Sequence, residues 1–111
     1  MAGISTHILN ASIGQPATQV LVKLLQETSG GYILIDEQFT NTDGRIQAFN
    51  IDSFIRGHYQ LIFEVADYFQ TLNTNSFYPR VCIDFKVNDT HQHYHVPLLI
   101  SPFSYSTYRG S

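Results

Sequence analysis

The chain has 111 residues, 43% of them apolar and 14% charged, with a formal net charge of −3. One domain spanning 1–111 with a packed core is expected, and six Lys and Arg against nine Asp and Glu exclude the basic footprint of a nucleic-acid binder. No apolar run reaches membrane-spanning length, the N-terminus "MAGISTHILN" lacks the pattern of a secretory signal, and the last residues are not an SKL-type address, so a cytoplasmic location is expected.

Fifteen aromatics and many Val, Ile and Thr favour strands over helices. In chain order, "ISTHILNAS" predicts a first strand, closed by a turn at Gly14 and Pro16. "TQVLVKLLQE" and "YILIDEQFT" predict two more, joined by the "TSGG" turn at 28–31. "NTDG" at 41–44 is a hairpin signal, because Asp-Gly readily supplies positive φ, and it leads into a short strand "RIQAF". "GHYQLIFEV" places Tyr59, Leu61, Phe63 and Val65 on one face. "VADYFQTLN" breaks the alternation with helical spacing, which predicts one short helix over about 66–73, with Pro79 as the stop. In "YPRVCIDFKV", Val81, Ile83, Phe85 and Val87 share one face, and Arg80, Cys82, Asp84 and Lys86 the other. "HYHVPLLISPFSYSTYRGS" supplies two last strands with a turn near Ser101-Pro102. Seven or eight strands and one helix predict an all-β, antiparallel two-sheet sandwich.

Five histidines stand out in so short a chain. His7 lies in the first strand. His91, His93 and His95 alternate in "HQHYHVP", opposite a core stripe of Tyr94, Val96 and Leu98, so in a strand they share the outer face with Pro97 and Leu99. Three readings fit this row. It is a solvated polar face; or a metal site, although zinc needs three or four convergent ligands and neither a Cys pair nor HExxH is present; or metal-free acid/base chemistry, which imidazole suits near neutral pH. The third reading needs a partner cation and a hydroxyl, for which Arg45 and the Ser/Tyr-rich tail are the candidates. His58 reads as a surface residue, Cys82 lacks the context of an activated thiolate, and Gly30-Gly31 reads as a turn.

Taken together, "STHILNASIGQPA", "NTDGRI", "FYPRVCIDF" and "HYHVPLLISPFSYSTYRGS" resemble the transthyretin-related family over essentially the whole chain. Within it they are most similar to the branch that hydrolyses 5-hydroxyisourate, and the terminal "YRGS" separates that branch from the hormone-carrying one. The resemblance implies a transthyretin-like sandwich assembled as a homotetramer, a dimer of dimers, with no cofactor and no metal. It implies hydrolytic opening of the cyclic amide C–N bond of 5-hydroxyisourate, giving 2-oxo-4-hydroxy-4-carboxy-5-ureidoimidazoline in urate degradation. The family's catalytic positions fall on His7, Arg45, His95 and Ser111. Its substrate-binding positions fall on His7, Arg45, Tyr108, Arg109, Gly110 and Ser111. His93 receives no catalytic role from this match. A site for a ligand of purine size is expected where outer faces of subunits meet, with Leu99 exposed beside His95. The alternative is a carrier of a small aromatic ligand on the same sandwich, without catalysis.

Overall fold

The computed structural model describes residues 2–111. Its strands are β1 (Gly3–Asn10), β2 (Gln15–Pro16), β3 (Leu21–Thr28), β4 (Gly31–Phe39), β5 (Arg45–Ile46), β6 (Gly57–Phe63), β7 (Val81–Val87), β8 (His93–Ser101) and β9 (Ser104–Thr107). Helix α1 (Val65–Thr71) follows β6. One sheet has the order β2-β1-β8-β9, with β5 also paired to β1; the other has the order β4-β3-β6-β7. The sandwich is the one expected, with two of its nine strands only two residues long.

Alternation decides what lies between the sheets. Ile4, Ile8, Tyr94, Val96, Leu98 and Ile100 point inward from the first sheet, and Val22, Leu24, Tyr59, Leu61, Phe63 and Val81 from the second; all are buried. Thr6 and Asn10 share the inward face of β1 and find partners there. Thr6 Oγ1 donates to the Val96 carbonyl at 2.6 Å, and Asn10 Nδ2 donates to the Tyr68 hydroxyl at 3.1 Å. Tyr59 is fully buried, and its hydroxyl donates to the Ile55 carbonyl at 2.7 Å.

Four details depart from the sequence expectation. First, β1 and β8 pair in parallel over their whole length, from Gly3↔His93 to Asn10↔Ile100, so the first sheet is mixed rather than antiparallel. Second, "NTDG" does not close a hairpin. Gly44 N–H donates to the Asn41 carbonyl at 2.9 Å, but the chain then leaves β4 and crosses to the other sheet, where β5 pairs with β1. Third, α1 spans Val65–Thr71, close to the expected 66–73, but its stop is Asn73 rather than Pro79. Asn73 takes φ 53°, the Thr74 N–H reaches the Phe69 carbonyl and the Asn73 N–H reaches the Gln70 carbonyl, both at 3.0 Å, which together form a Schellman close. Fourth, Leu99 is half-buried within the chain, beside its register partner Leu9. No helix among the described residues is long and apolar enough to cross a membrane.

Candidate active site

The outer face of β1 and β8 carries the polar groups. Because these strands are parallel and in register, Ser5 lies opposite His95 and Gly3 opposite His93. On the other edge of β1, the antiparallel β5 sets Arg45 opposite His7. Three segments far apart in sequence thus meet on one face.

Gly44 makes the Arg45 placement possible. Its φ is 73°, and the Ile8 N–H donates to its carbonyl at 2.8 Å. A Cβ at this position would stand 2.6 Å from the Ile8 carbonyl oxygen and 3.0 Å from Pro16 Cβ. Only glycine combines that backbone conformation with that approach.

The tail is held in place, not frayed. The Gly110 N–H donates to the His95 carbonyl at 2.8 Å, forming an antiparallel bridge. Arg109 Nη2 donates to Gln92 Oε1 at 2.9 Å, and its guanidinium lies 4.4 Å from the centre of the Tyr94 ring. The turn of the tail therefore splits its side chains. Ser111 joins Ser5, Thr6, Arg45, Ile46, Gln47, His93 and His95 around a cavity of about 410 Å³. Tyr108 and Arg109 instead line a separate cavity of about 500 Å³ between the β7 and β9 edges, with Ile83, Phe85, Lys86 and Tyr94.

His95 is half-buried, and its Nδ1 lies 2.7 Å from Ser5 Oγ. Burial first, then the charges of Arg45, His7 and His93, hold its pKa below the usual histidine value of 6.5. His7 is also half-buried, and burial followed by the Arg45 charge lowers it too, partly offset by Asp43. Both imidazoles are therefore biased toward the neutral form that can accept a proton. Arg45 is exposed and forms no ion pair among the described residues, so its guanidinium is available to an anion or oxyanion.

The remaining candidates separate clearly. His91 is not on β8. It lies in the preceding turn, with its side chain 95% exposed and its Nδ1 3.3 Å from Asp89 Oδ1, so His91, His93 and His95 form no ligand set. Among the described residues no three His, Cys, Asp or Glu side chains converge on a point. His58 sits on the surface 2.8 Å from Glu27, and Cys82 on the outer side of β7, where desolvation raises its thiol pKa. The residue that the motif reading passed over is Ser5, buried and in contact with two histidines. Its spacing of two from His7 was the available signal, since both fall on one strand face.

Comparison with known proteins gives the family. Residues 4–110 match the sequence profile of the HIUase/Transthyretin family. A 5-hydroxyisourate hydrolase of Deinococcus radiodurans is 44% identical over 114 aligned positions, covering 98% of this chain and 96% of the relative. The structure of Klebsiella pneumoniae 5-hydroxyisourate hydrolase superposes with a TM-score of 0.88 at 38% identity, covering 100% of both chains. Sea bream transthyretin in complex with thyroxine superposes with a TM-score of 0.90 at 30% identity, covering 96% of this chain and 93% of that one. On sequence and fold alike, the chain belongs to the HIUase/Transthyretin family.

Proposed function

We propose that this protein is a hydrolase that opens 5-hydroxyisourate to 2-oxo-4-hydroxy-4-carboxy-5-ureidoimidazoline by metal-free acid/base chemistry. The observation that carries the reading is the juxtaposition of two imidazoles biased toward neutrality with an unpaired guanidinium on one polar face. The full-length relatives named as 5-hydroxyisourate hydrolases supply the substrate.

Hydrolysis of a cyclic amide needs an activated water, a charge facing the carbonyl oxygen as it becomes an oxyanion, and a proton for the leaving nitrogen. His7 and His95 share the proton transfers. Arg45 faces the oxyanion or an anionic substrate through its paired donors. Ser111 meets substrate or water at the cavity wall, while Arg109 and Gly110 hold the tail against β8 and Tyr108 faces the separate cavity between β7 and β9. A thyroxine-type carrier function is disfavoured, because an apolar ligand would desolvate Arg45 and the free ring nitrogen of His95 without giving them partners.

The cavity lies on an outer face and is open to solvent on one side, so a second chain laid on that face would close it. We therefore propose a homotetramer with sites between subunits. The test follows the decay of 5-hydroxyisourate absorbance above its spontaneous rate. His7→Ala, Arg45→Ala and His95→Ala should each lower turnover by about 10²- to 10⁴-fold. Near wild-type rates in all three would overturn the assignment, and a fully active monomer in sedimentation would overturn the intersubunit site.

A further inference from the structure

Ser5 Oγ stands 2.7 Å from His93 Nε2 and 2.7 Å from His95 Nδ1. A hydroxyl has one proton to donate. Ser5 has no other side-chain partner among the described residues, and when its proton goes to one ring the other ring donates N–H to it. The three groups form a directed chain with two possible polarities. Only one of them, His95 Nδ1–H to Ser5 Oγ and Ser5 O–H to His93 Nε2, leaves His95 Nε2 unprotonated. That nitrogen makes no hydrogen bond within the described residues and is the one left to meet a ligand.

We propose, building on the hydrolase reading above, that Ser5 and His93 are positioning residues forming a proton relay behind His95. In the first step, His95 Nε2 takes a proton from water as the water oxygen bonds to the substrate carbonyl carbon. The His95 Nδ1 proton then passes to Ser5 Oγ, and the Ser5 hydroxyl proton passes to His93 Nε2. His95 is again neutral, now with Nε2–H. That proton goes to the leaving nitrogen as the C–N bond breaks, in concert with transfer of the Ser5 proton back to His95 Nδ1 and of the His93 Nε2 proton back to Ser5, so that no imidazolate forms. Return of the two relay protons restores the start, and the balance is one water split into hydroxyl on carbon and hydrogen on nitrogen.

The surroundings supply the reason for such a transfer. The groups that face His95 are Arg45 from β5, His7 and Ser5 from β1, His93 from its own strand, and Ser111 from the tail. The cations and the burial among these oppose positive charge on His95. His93 is exposed to water. The relay thus moves the charge from the half-buried ring to the wet one and converts a base into an acid at the same nitrogen.

The test compares wild type, Ser5→Ala, His93→Gln and the double variant in kcat and KM from pH 5 to 9, on the full chain. His93→Gln keeps an acceptor for the Ser5 hydroxyl but cannot hold the proton. Each single variant should lose about 10- to 100-fold in kcat with KM little changed, less than removal of a direct acid/base group. The double variant should be no worse than the poorer single, because the groups act as one unit. Wild-type kcat in His93→Gln overturns the relay even if Ser5→Ala is impaired, since Ser5 would then merely orient His95. His93 is exposed, so that arm survives if Ser5→Ala fails to fold. Ring ¹⁵N spectra of the resting protein test the polarity without turnover: His95 as the Nδ1–H tautomer supports it, and the Nε2–H tautomer overturns it. A wild type that fails to hasten 5-hydroxyisourate decay would count against the hydrolase reading, and the spectra would still decide the hydrogen-bond chain.

Discussion

Replacing Gly110 with alanine tests whether the tail sets the geometry of His95. The added Cβ would stand 2.6 Å from His95 Cδ2, 3.3 Å from His95 Cγ and 3.2 Å from Pro97 Cγ. Ordinary carbon contacts lie at about 3.5–4.0 Å, so the ring or the tail must give way by about 1 Å. Pro97 is buried and fixed in β8, which leaves the imidazole and the tail to move. A displacement of that size at a reacting group costs about 10²-fold in rate. The stability cost is bounded differently. Tyr108, Arg109 and Ser111 are exposed, and the shift threatens chiefly the Gly110 N–H bond to the His95 carbonyl, worth about 0.5–1.5 kcal/mol net. That corresponds to a fall in Tm of only about 3–10 °C in a domain of this size. Turnover of freshly generated 5-hydroxyisourate, read alongside calorimetric melting, separates the two quantities. Unchanged turnover would show that the tail does not set His95. A far larger loss of Tm would show that the tail is a structural element of the sandwich.

Further outcomes follow from the same face. Both histidines titrate below 6.5, so kcat/KM should hold near neutral pH and fall on the acid side of 6.5 as they protonate. Their depressed folded values also make stability intact above 6.5 and progressively lost as pH falls through them, because the unfolded chain binds those protons first. In Arg45→Ala the opposing charge is gone, so the acid limb of the residual activity should move to higher pH; a limb that stays put would refute the electrostatic account. Gly44→Ala should lower stability by about 1–3 kcal/mol in denaturant melts through strain at φ 73° and collision with the Ile8 carbonyl. An unaltered midpoint would mean that the turn adapts freely.

Residue alternation made the faces legible. It placed Tyr94, Val96 and Leu98 inside and His93 and His95 outside, and it separated Val81, Ile83 and Val87 from Cys82, Asp84 and Lys86 on β7. What alternation could not supply was neighbours. The period of two states which way a side chain points, but not which strand lies alongside. The contact from Ser5 to His95 spans 90 positions, and it exists because β1 and β8 run parallel in register. In the same way, the Asp-Gly turn was visible while its destination was not, since local turn chemistry does not distinguish a return to β4 from a crossing to β1. Asn73 ended α1 by taking a left-handed conformation, which asparagine tolerates without announcing it. The tail motif was readable as a unit, yet only the bridge at Gly110 shows that Ser111 and Arg109 face different cavities.

The outer face can vary apart from the fold. The core of this sandwich is complete without the β1–β8 outer face, because Ile4, Thr6 and Ile8 and their partners Tyr94, Val96 and Leu98 all point the other way. Substitutions at Ser5, His7, His93 and His95 therefore change the chemistry of the face at little cost to the fold. In register, those four positions bring imidazole, hydroxyl and, through β5, guanidinium to one face. A carrier could keep every inward residue and replace these groups with apolar ones. If that reasoning holds, His7→Leu together with His95→Leu should abolish turnover while the Tm stays within about 5 °C of wild type, since neither side chain belongs to the core. Collapse of the fold in that double variant would show that the polar face is part of what holds the first sheet together.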